Sequence, residues 1–307
     1  MTSRRTFLTQ APAVAGGCIL LGAMRTVRAA EMPPMTMRKI PSSGEPVPVI
    51  GLGTSGSFEI QADAPEYPAL KEVLKRFFGS GATLIDTAPT YGNAENILGR
   101  LLAETGVRRL AFIATKLSRV SGKEEGLAQF RGTLKSLQTD KVELLQVHNL
   151  GDWKTQIELA RQLKTEGKVK YVGVTHYQDS GQEALADVVA AMKPDFLQIN
   201  YSVTQRGAEK RVLPLARDLG VAVLANRNFN DGALFNQVKD KVLPGWAAEL
   251  GITSWAQMFL KFVLSHEAVT AVIPATGKPE RETDNLRAGF GPLLTAAQKS
   301  EVIDLVG

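Results

Sequence analysis

Residues 69–92 read ALKEVLKRFFGSGATLIDTAPTYG, and this stretch decides the fold. Leu70, Val73, Leu74, Phe77 and Phe78 fall at i, i+3, i+4, i+7 and i+8, which gives a helix one apolar stripe to lay against a sheet. Gly81 follows, and glycine most readily takes the left-handed geometry that stops a helix. Thr83–Asp86 is then a short apolar run with an acid at its C-terminal end, the pattern of a buried strand. Helix, glycine turn and strand in that order form one step of an α/β alternation.

The same step recurs outward in both directions. Strand-like runs stand at Val47–Gly51, Thr83–Asp86, Leu110–Lys116, Val142–Val147, Lys170–Thr175, Phe196–Ile199, Val221–Ala225 and Ala271–Ile273. Helical spacing fills Ala69–Phe78, Ala94–Glu104, Leu127–Leu137, Ile157–Glu166, Ala184–Met192 and Arg211–Leu219, with Gly106, Gly167 and Gly220 as further stops. Eight strands alternating with helices imply parallel pairing through right-handed crossovers. Closure at eight predicts an α/β (β/α)8 TIM barrel over residues 37–307; periodicity alone leaves an open doubly wound sheet as the rival. Met37–Val49, with the turn Ser42-Ser43-Gly44-Glu45, reads as an N-terminal β-hairpin, and Thr295–Leu305 as an extra C-terminal helix.

The composition, 44% hydrophobic and 22% charged over 307 residues, is that of a globular chain. The net charge of +5 is concentrated in a leader: Arg4, Arg5, Arg25 and Arg28 precede any acid, leaving 32 basic against 31 acidic residues. A nearly neutral remainder argues against a nucleic-acid partner. Ser3-Arg4-Arg5-Thr6-Phe7-Leu8, the uncharged run Thr9–Met24 and Val27-Arg28-Ala29 form a signal peptide over residues 1–29 that resembles a twin-arginine export signal. A spacer at 30–36 follows. The expected location is the periplasm, after folding, with the twin-arginine translocase as a transient partner. The uncharged run is too short for a stable membrane span. The lone Cys18 lies in the leader, so the remainder has no disulfide, thiolate metal site or cysteine nucleophile. Three histidines (His148, His176 and His266) do not suggest a zinc site, and no metal is expected.

Gly51-Leu52-Gly53-Thr54-Ser55-Gly56 matches a GxGxxG pattern, but no helix starts at once and no strand-end acid follows about 20 residues on, so it is not a Rossmann site. The chemistry lies at other strand ends. Asp86 closes the second strand and Tyr91 follows in its loop; Lys116 closes the third and His148 the fourth. In a barrel, C-terminal strand ends share one face, where active sites are built. Each residue alone has a structural explanation, such as a buried Asp86–Lys116 pair, a Tyr91 loop anchor or a core His148. Together they suit carbonyl chemistry. Tyr91 serves as proton donor to a developing alkoxide, or as base in reverse. Lys116 favours its phenolate and lowers its pKa. Asp86 keeps Lys116 charged and placed, and His148 orients the substrate oxygen.

These residues resemble the catalytic tetrad of the aldo-keto reductase family, and the resemblance runs from about Met37 to the end of the chain. Asp86-Thr87-Ala88-Pro89-Thr90-Tyr91-Gly92 carries it, with Lys116 and His148 on later strand ends and support from Gly51-Leu52-Gly53-Thr54, Gln198 and Ile273-Pro274…Arg281…Asp284-Asn285. The resemblance implies Asp86, Tyr91, Lys116 and His148 as catalytic residues and NADP(H) as cofactor. It implies Gly53, Thr54, Asp86, Thr175, His176, Gln198, Asn226, Arg227, Thr276, Arg281, Asp284 and Asn285 around that cofactor. The nicotinamide amide would lie near Thr175, His176 and Gln198, and the 2′-phosphate and adenine near Thr276, Arg281 and Asn285. Tyr91, His148 and Trp153 would face a small carbonyl or alcohol substrate. The chain departs from the family at Thr175-His176, where Ser-Asn is usual. Asn226 stands where an aromatic residue often stacks, and Ala275 where Lys is frequent. The leading expectation is an NADP-dependent carbonyl oxidoreductase. The alternatives are an exported nicotinamide-binding sensor with little turnover and a Schiff-base enzyme using Lys116.

Overall fold

The computed structural model describes residues 34–306; the expected leader at 1–29, and the spacer up to residue 33, lie outside the described residues. β1 (Met37–Lys39) and β2 (Pro46–Pro48) pair antiparallel with Arg38 opposite Val47. The alternation then runs β3 (Leu52–Gly53), α1 (Tyr67–Gly79), β4 (Leu84–Asp86), α2 (Ala94–Thr105), β5 (Phe112–Leu117), α3 (Gly122–Ser136), β6 (Val142–His148) and α4 (Trp153–Thr165). It continues through β7 (Val169–His176), α5 (Gln182–Met192), β8 (Phe196–Asn200), α6 (Val212–Leu219) and β9 (Ala222–Asn226). Two helices, α7 (Ala233–Val238) and α8 (Trp255–Leu264), precede β10 (Val269–Val272). Then come α9 (Pro279–Arg287) and α10 (Ala296–Val306).

Strands β3 to β10 lie side by side in chain order, each parallel to its neighbours. Gly51 N donates to Val272 O at 2.8 Å and Gly53 N to Pro274 O at 2.9 Å, so the first strand closes on the last. This closure decides for the barrel against the open sheet. Gly81, Gly106, Gly167 and Gly220 all have positive φ, as a helix stop before a strand requires.

Two boundaries are corrected. Val47 belongs to the hairpin, where it plugs the barrel floor beside Ile40, and the first barrel strand starts beyond it around Ile50–Gly53. Leu110 ends a short 3-10 turn, and the third barrel strand starts at Phe112.

The pleat explains the barrel interior. Alternate residues of each strand point inward. Leu84, Phe112, Leu144, Tyr171, Phe196 and Ala222 fill the lower part as one apolar cluster. Their register partners two or four positions on are Asp86, Lys116, Gln146, Thr175, Gln198 and Asn226. The interior therefore changes from hydrocarbon to a hydrogen-bonded polar layer at the C-terminal ends. No helix among the described residues is long and apolar enough to cross a membrane.

Candidate active site

The polar layer floors a cavity of about 770 Å³ at the C-terminal face. At its centre, Lys116 Nζ donates to Asp86 Oδ2 at 2.7 Å and to the Thr87 carbonyl at 2.8 Å, with both side chains almost wholly buried. Asp86 Oδ1 accepts from Gln198 Nε2 at 2.7 Å and from Gln146 Nε2 at 3.3 Å. Gln198 Oε1 in turn accepts from Thr175 Oγ1 at 3.3 Å and Asn226 Nδ2 at 3.2 Å. A carboxylate held by three donors cannot swing, and it holds Lys116 with it. Burial is the largest single influence and opposes the Lys116 ammonium, but Asp86 and Tyr91 together outweigh it and the lysine pKa rises.

Tyr91 stands in the loop after β4, its ring edge-on to His148 with centroids 6.1 Å apart. Lys116 Nζ lies 4.9 Å from the Tyr91 ring centroid. The net direction is opposite to the lowering expected from this ammonium. Desolvation is the largest influence on Tyr91 and raises its pKa; Lys116 lowers it by less, and the Asp86 charge adds to the rise. Tyr91 is thus a protonated phenol at neutral pH, a donor rather than a base.

His148 is pushed down to about 3, first by burial, then by the nearby charges of Lys116 and Arg119. Its imidazole is neutral. Ser118 Oγ lies 2.8 Å from Nδ1; with Ser118 donating there, the ring proton sits on Nε2. A neutral imidazole and a phenol therefore flank one point of the cavity.

Asp86, Tyr91, His148, Gly53, Thr175, Gln198, Asn226, Arg227 and Arg281 all line this cavity, and Lys116 supports its floor. Other residues singled out from sequence do not line it. Thr54 is buried and donates both its backbone N–H and its hydroxyl to the Asp86 carbonyl, at 3.0 Å each. His176 turns aside to stack on Tyr177 and accept from Gln178 N. Thr276 accepts from Lys278 N ahead of α9. Asp284 accepts from Ser254 Oγ and Gln257 Nε2, both at 2.6 Å, and so ties α9 to the start of α8. Asn285 is buried on α9, and Trp153 opens α4 outside the cavity.

Sequence reasoning missed Gln146, which the two-residue period from His148 would have given. It also missed Ser118, Arg119, Tyr177 and Asn228, which stand in or beside loops without a local signature. Arg227 pairs with Asp231 and sits 5.2 Å over the Tyr177 ring, tying the loop after β9 to the loop after β7.

Known proteins resemble this chain in sequence and fold. The model of the aldo/keto reductase family matches residues 49–303. Aldo-keto reductase YhdN of Bacillus subtilis is 28% identical over 222 residues, 67% of this chain and 66% of the relative, so the chain spans just under two thirds of that protein's length. Methylglyoxal reductase YeaE of Escherichia coli is 27% identical over 78% of this chain and 84% of its own length. Among solved structures, the aldo-keto reductase from Klebsiella pneumoniae in complex with NADPH superposes with a TM-score of 0.74 at 25% identity, covering 90% of this chain and 96% of that one.

Proposed function

Because the chain belongs to the aldo/keto reductase family, we propose that it is an NADP-dependent oxidoreductase working in the direction of carbonyl reduction, with Tyr91 as proton donor. The observation that carries this reading is the protonated phenol facing a neutral His148 across a cavity floored by the Asp86–Lys116 pair.

The residues fit a dinucleotide. Asn226 Oδ1, Arg227 Nε and Asn228 Oδ1 are buried polar atoms with no partner among the described residues, all on one stretch of the cavity wall. Buried polar atoms left unpaired are costly, and a ligand rich in amide, hydroxyl and phosphate groups would satisfy them. Arg281 lines the cavity and has no ion-pair partner among the described residues. Thr175, Gln198 and Asn226 would hold the carboxamide, and Arg281 the 2′-phosphate, which favours NADP over NAD. Bound there, NADPH supplies the hydride.

The chain's own residues do the rest. His148 Nε2–H donates to the carbonyl oxygen of the substrate and fixes its orientation. Tyr91 Oη gives its proton to that oxygen as negative charge develops. The fixed Lys116 charge stabilises the phenolate left behind, and Asp86 holds the ammonium in place without reorganising. With the leader of residues 1–29, the enzyme would fold around its cofactor and then be exported.

NADPH oxidation with small aldehydes, methylglyoxal first because a relative bears that name, tests the reading in wild type and Tyr91→Phe. Wild type should turn over. The variant should lose roughly a hundred-fold or more in kcat, with nucleotide binding nearly unchanged. Tight binding without turnover in either protein would favour a nicotinamide sensor instead, and no binding would remove both readings.

A further inference from the structure

The substrate end of the cavity carries a cation that the proton transfer does not use. Arg119 lines the cavity in the loop after β5, three residues beyond Lys116 and next to Ser118, whose hydroxyl meets His148. The charged side chains of the cavity lining are Asp86, Arg119, Arg227, Asp231 and Arg281. Both acids are engaged, Asp86 with Lys116 and Asp231 with Arg227. Arg119 has no hydrogen bond or ion pair from its guanidinium among the described residues. Arg281 is likewise free, but it follows the eighth barrel strand while Arg119 follows the third, so the two serve different parts of the cavity.

The backbone at Arg119 is also unusual. Its φ of 56° is in the left-handed region, where a residue with a Cβ is disfavoured. The conformation is enforced from outside. Gln129 on α3 clamps the preceding residue twice, accepting from Ser118 N at 2.7 Å and donating to Ser118 O at 2.8 Å. Gly122 N, at the far end of the loop, donates to Asp152 Oδ2 at 2.8 Å in the loop after β6. Glycine would occupy position 119 with less strain, yet an arginine stands there, exposed at the cavity wall with its guanidinium unpaired among the described residues. Eight other non-glycine residues share this region, so the angle by itself assigns no role; with the clamp on Ser118 it fixes where the Arg119 side chain leaves the loop.

We propose that Arg119 binds an anionic group of the substrate, so that the preferred substrate is an aldehyde or ketone that also carries a carboxylate. This rests on the reductase reading. A guanidinium offers paired N–H donors that match a carboxylate. In this cavity the carbonyl would meet Tyr91 and His148 while the carboxylate meets Arg119, fixing the substrate at two points.

The test compares 4-oxobutanoate with butanal, which share a chain length and differ in the carboxylate, in wild type, Arg119→Met and Arg119→Lys with NADPH. Wild type should prefer 4-oxobutanoate in kcat/KM. Arg119→Met should lose roughly ten- to a hundred-fold on 4-oxobutanoate and change by less than about two-fold on butanal, with Arg119→Lys in between. Equal use of both aldehydes by wild type, or an equal loss on both in Arg119→Met, would overturn the assignment while leaving the reductase intact. A rise confined to the KM for NADPH would move Arg119 to the cofactor and also overturn it. Failure of wild type on both aldehydes, and on the wider aldehyde panel, would remove the reductase reading itself.

Discussion

Tyr91 and His148 show how burial sets the working state of a side chain. Desolvation holds the phenol protonated above its usual 10, and holds the imidazole neutral down to about 3. Neither group changes charge in between, so carbonyl reduction should be nearly flat from about pH 5 to 9 and fall only as pH rises through the Tyr91 pKa. The reverse reaction needs the phenolate and should climb with pH over the alkaline part of that range. Steady-state kcat measured in both directions checks this, and an acidic limb near pH 6 in the reduction would show that His148 titrates after all. The residue types at these positions were readable from sequence, because Asp, Lys and His each close a strand-like run. The direction of the Tyr91 shift was not, because it depends on how much water the fold removes from a loop residue.

Among the helices, α9 carries an unpaired acid. Glu282 is fully buried, neither carboxylate oxygen has a partner among the described residues, and burial pushes its pKa up to about 8. The folded pKa is raised above the unfolded value near 4.5, so the folded state holds this proton more tightly. The contribution of Glu282 to stability is therefore fully present below pH 4.5 and is lost as pH rises through about 8, by a few kcal/mol on the order of magnitude set by that shift. Glu282→Leu should raise Tm at pH 9 and flatten the fall of Tm between pH 5 and 9, as read by thermal melts across that range. α8 and α9 were invisible to pattern reading for opposite reasons. From Gln257 to Leu264 every residue of α8 is buried, so no polar face defines a stripe. α9 is almost entirely polar apart from Leu286, and it is held by packing on α1 and α8 and by the Asp284 tie.

At the scale of the whole molecule, closure is the step on which the site depends, because only a closed barrel brings strands two, three and four to face the last strand across one cavity. Gly53 sits on that seam. A Cβ there would meet the Ile273 carbonyl at 2.9 Å and the Ala275 Cβ at 3.2 Å. Gly53→Ala should push the first strand from the last and cost about 1–3 kcal/mol, measured by chemical denaturation, with nucleotide binding weakened alongside. The sequence by itself determined the alternation of strand and helix, the glycine stops and the chemical identity of Asp86, Tyr91, Lys116 and His148, since period and residue type are local properties. Closure, the inward row that adds Gln146 to Asp86, and the partners that Thr54, His176 and Asp284 take depend on contacts between distant segments and came only with the folded chain. It alone placed Arg119 in its left-handed conformation at the mouth, because a backbone angle fixed by a distant glutamine has no signature in the residues beside it.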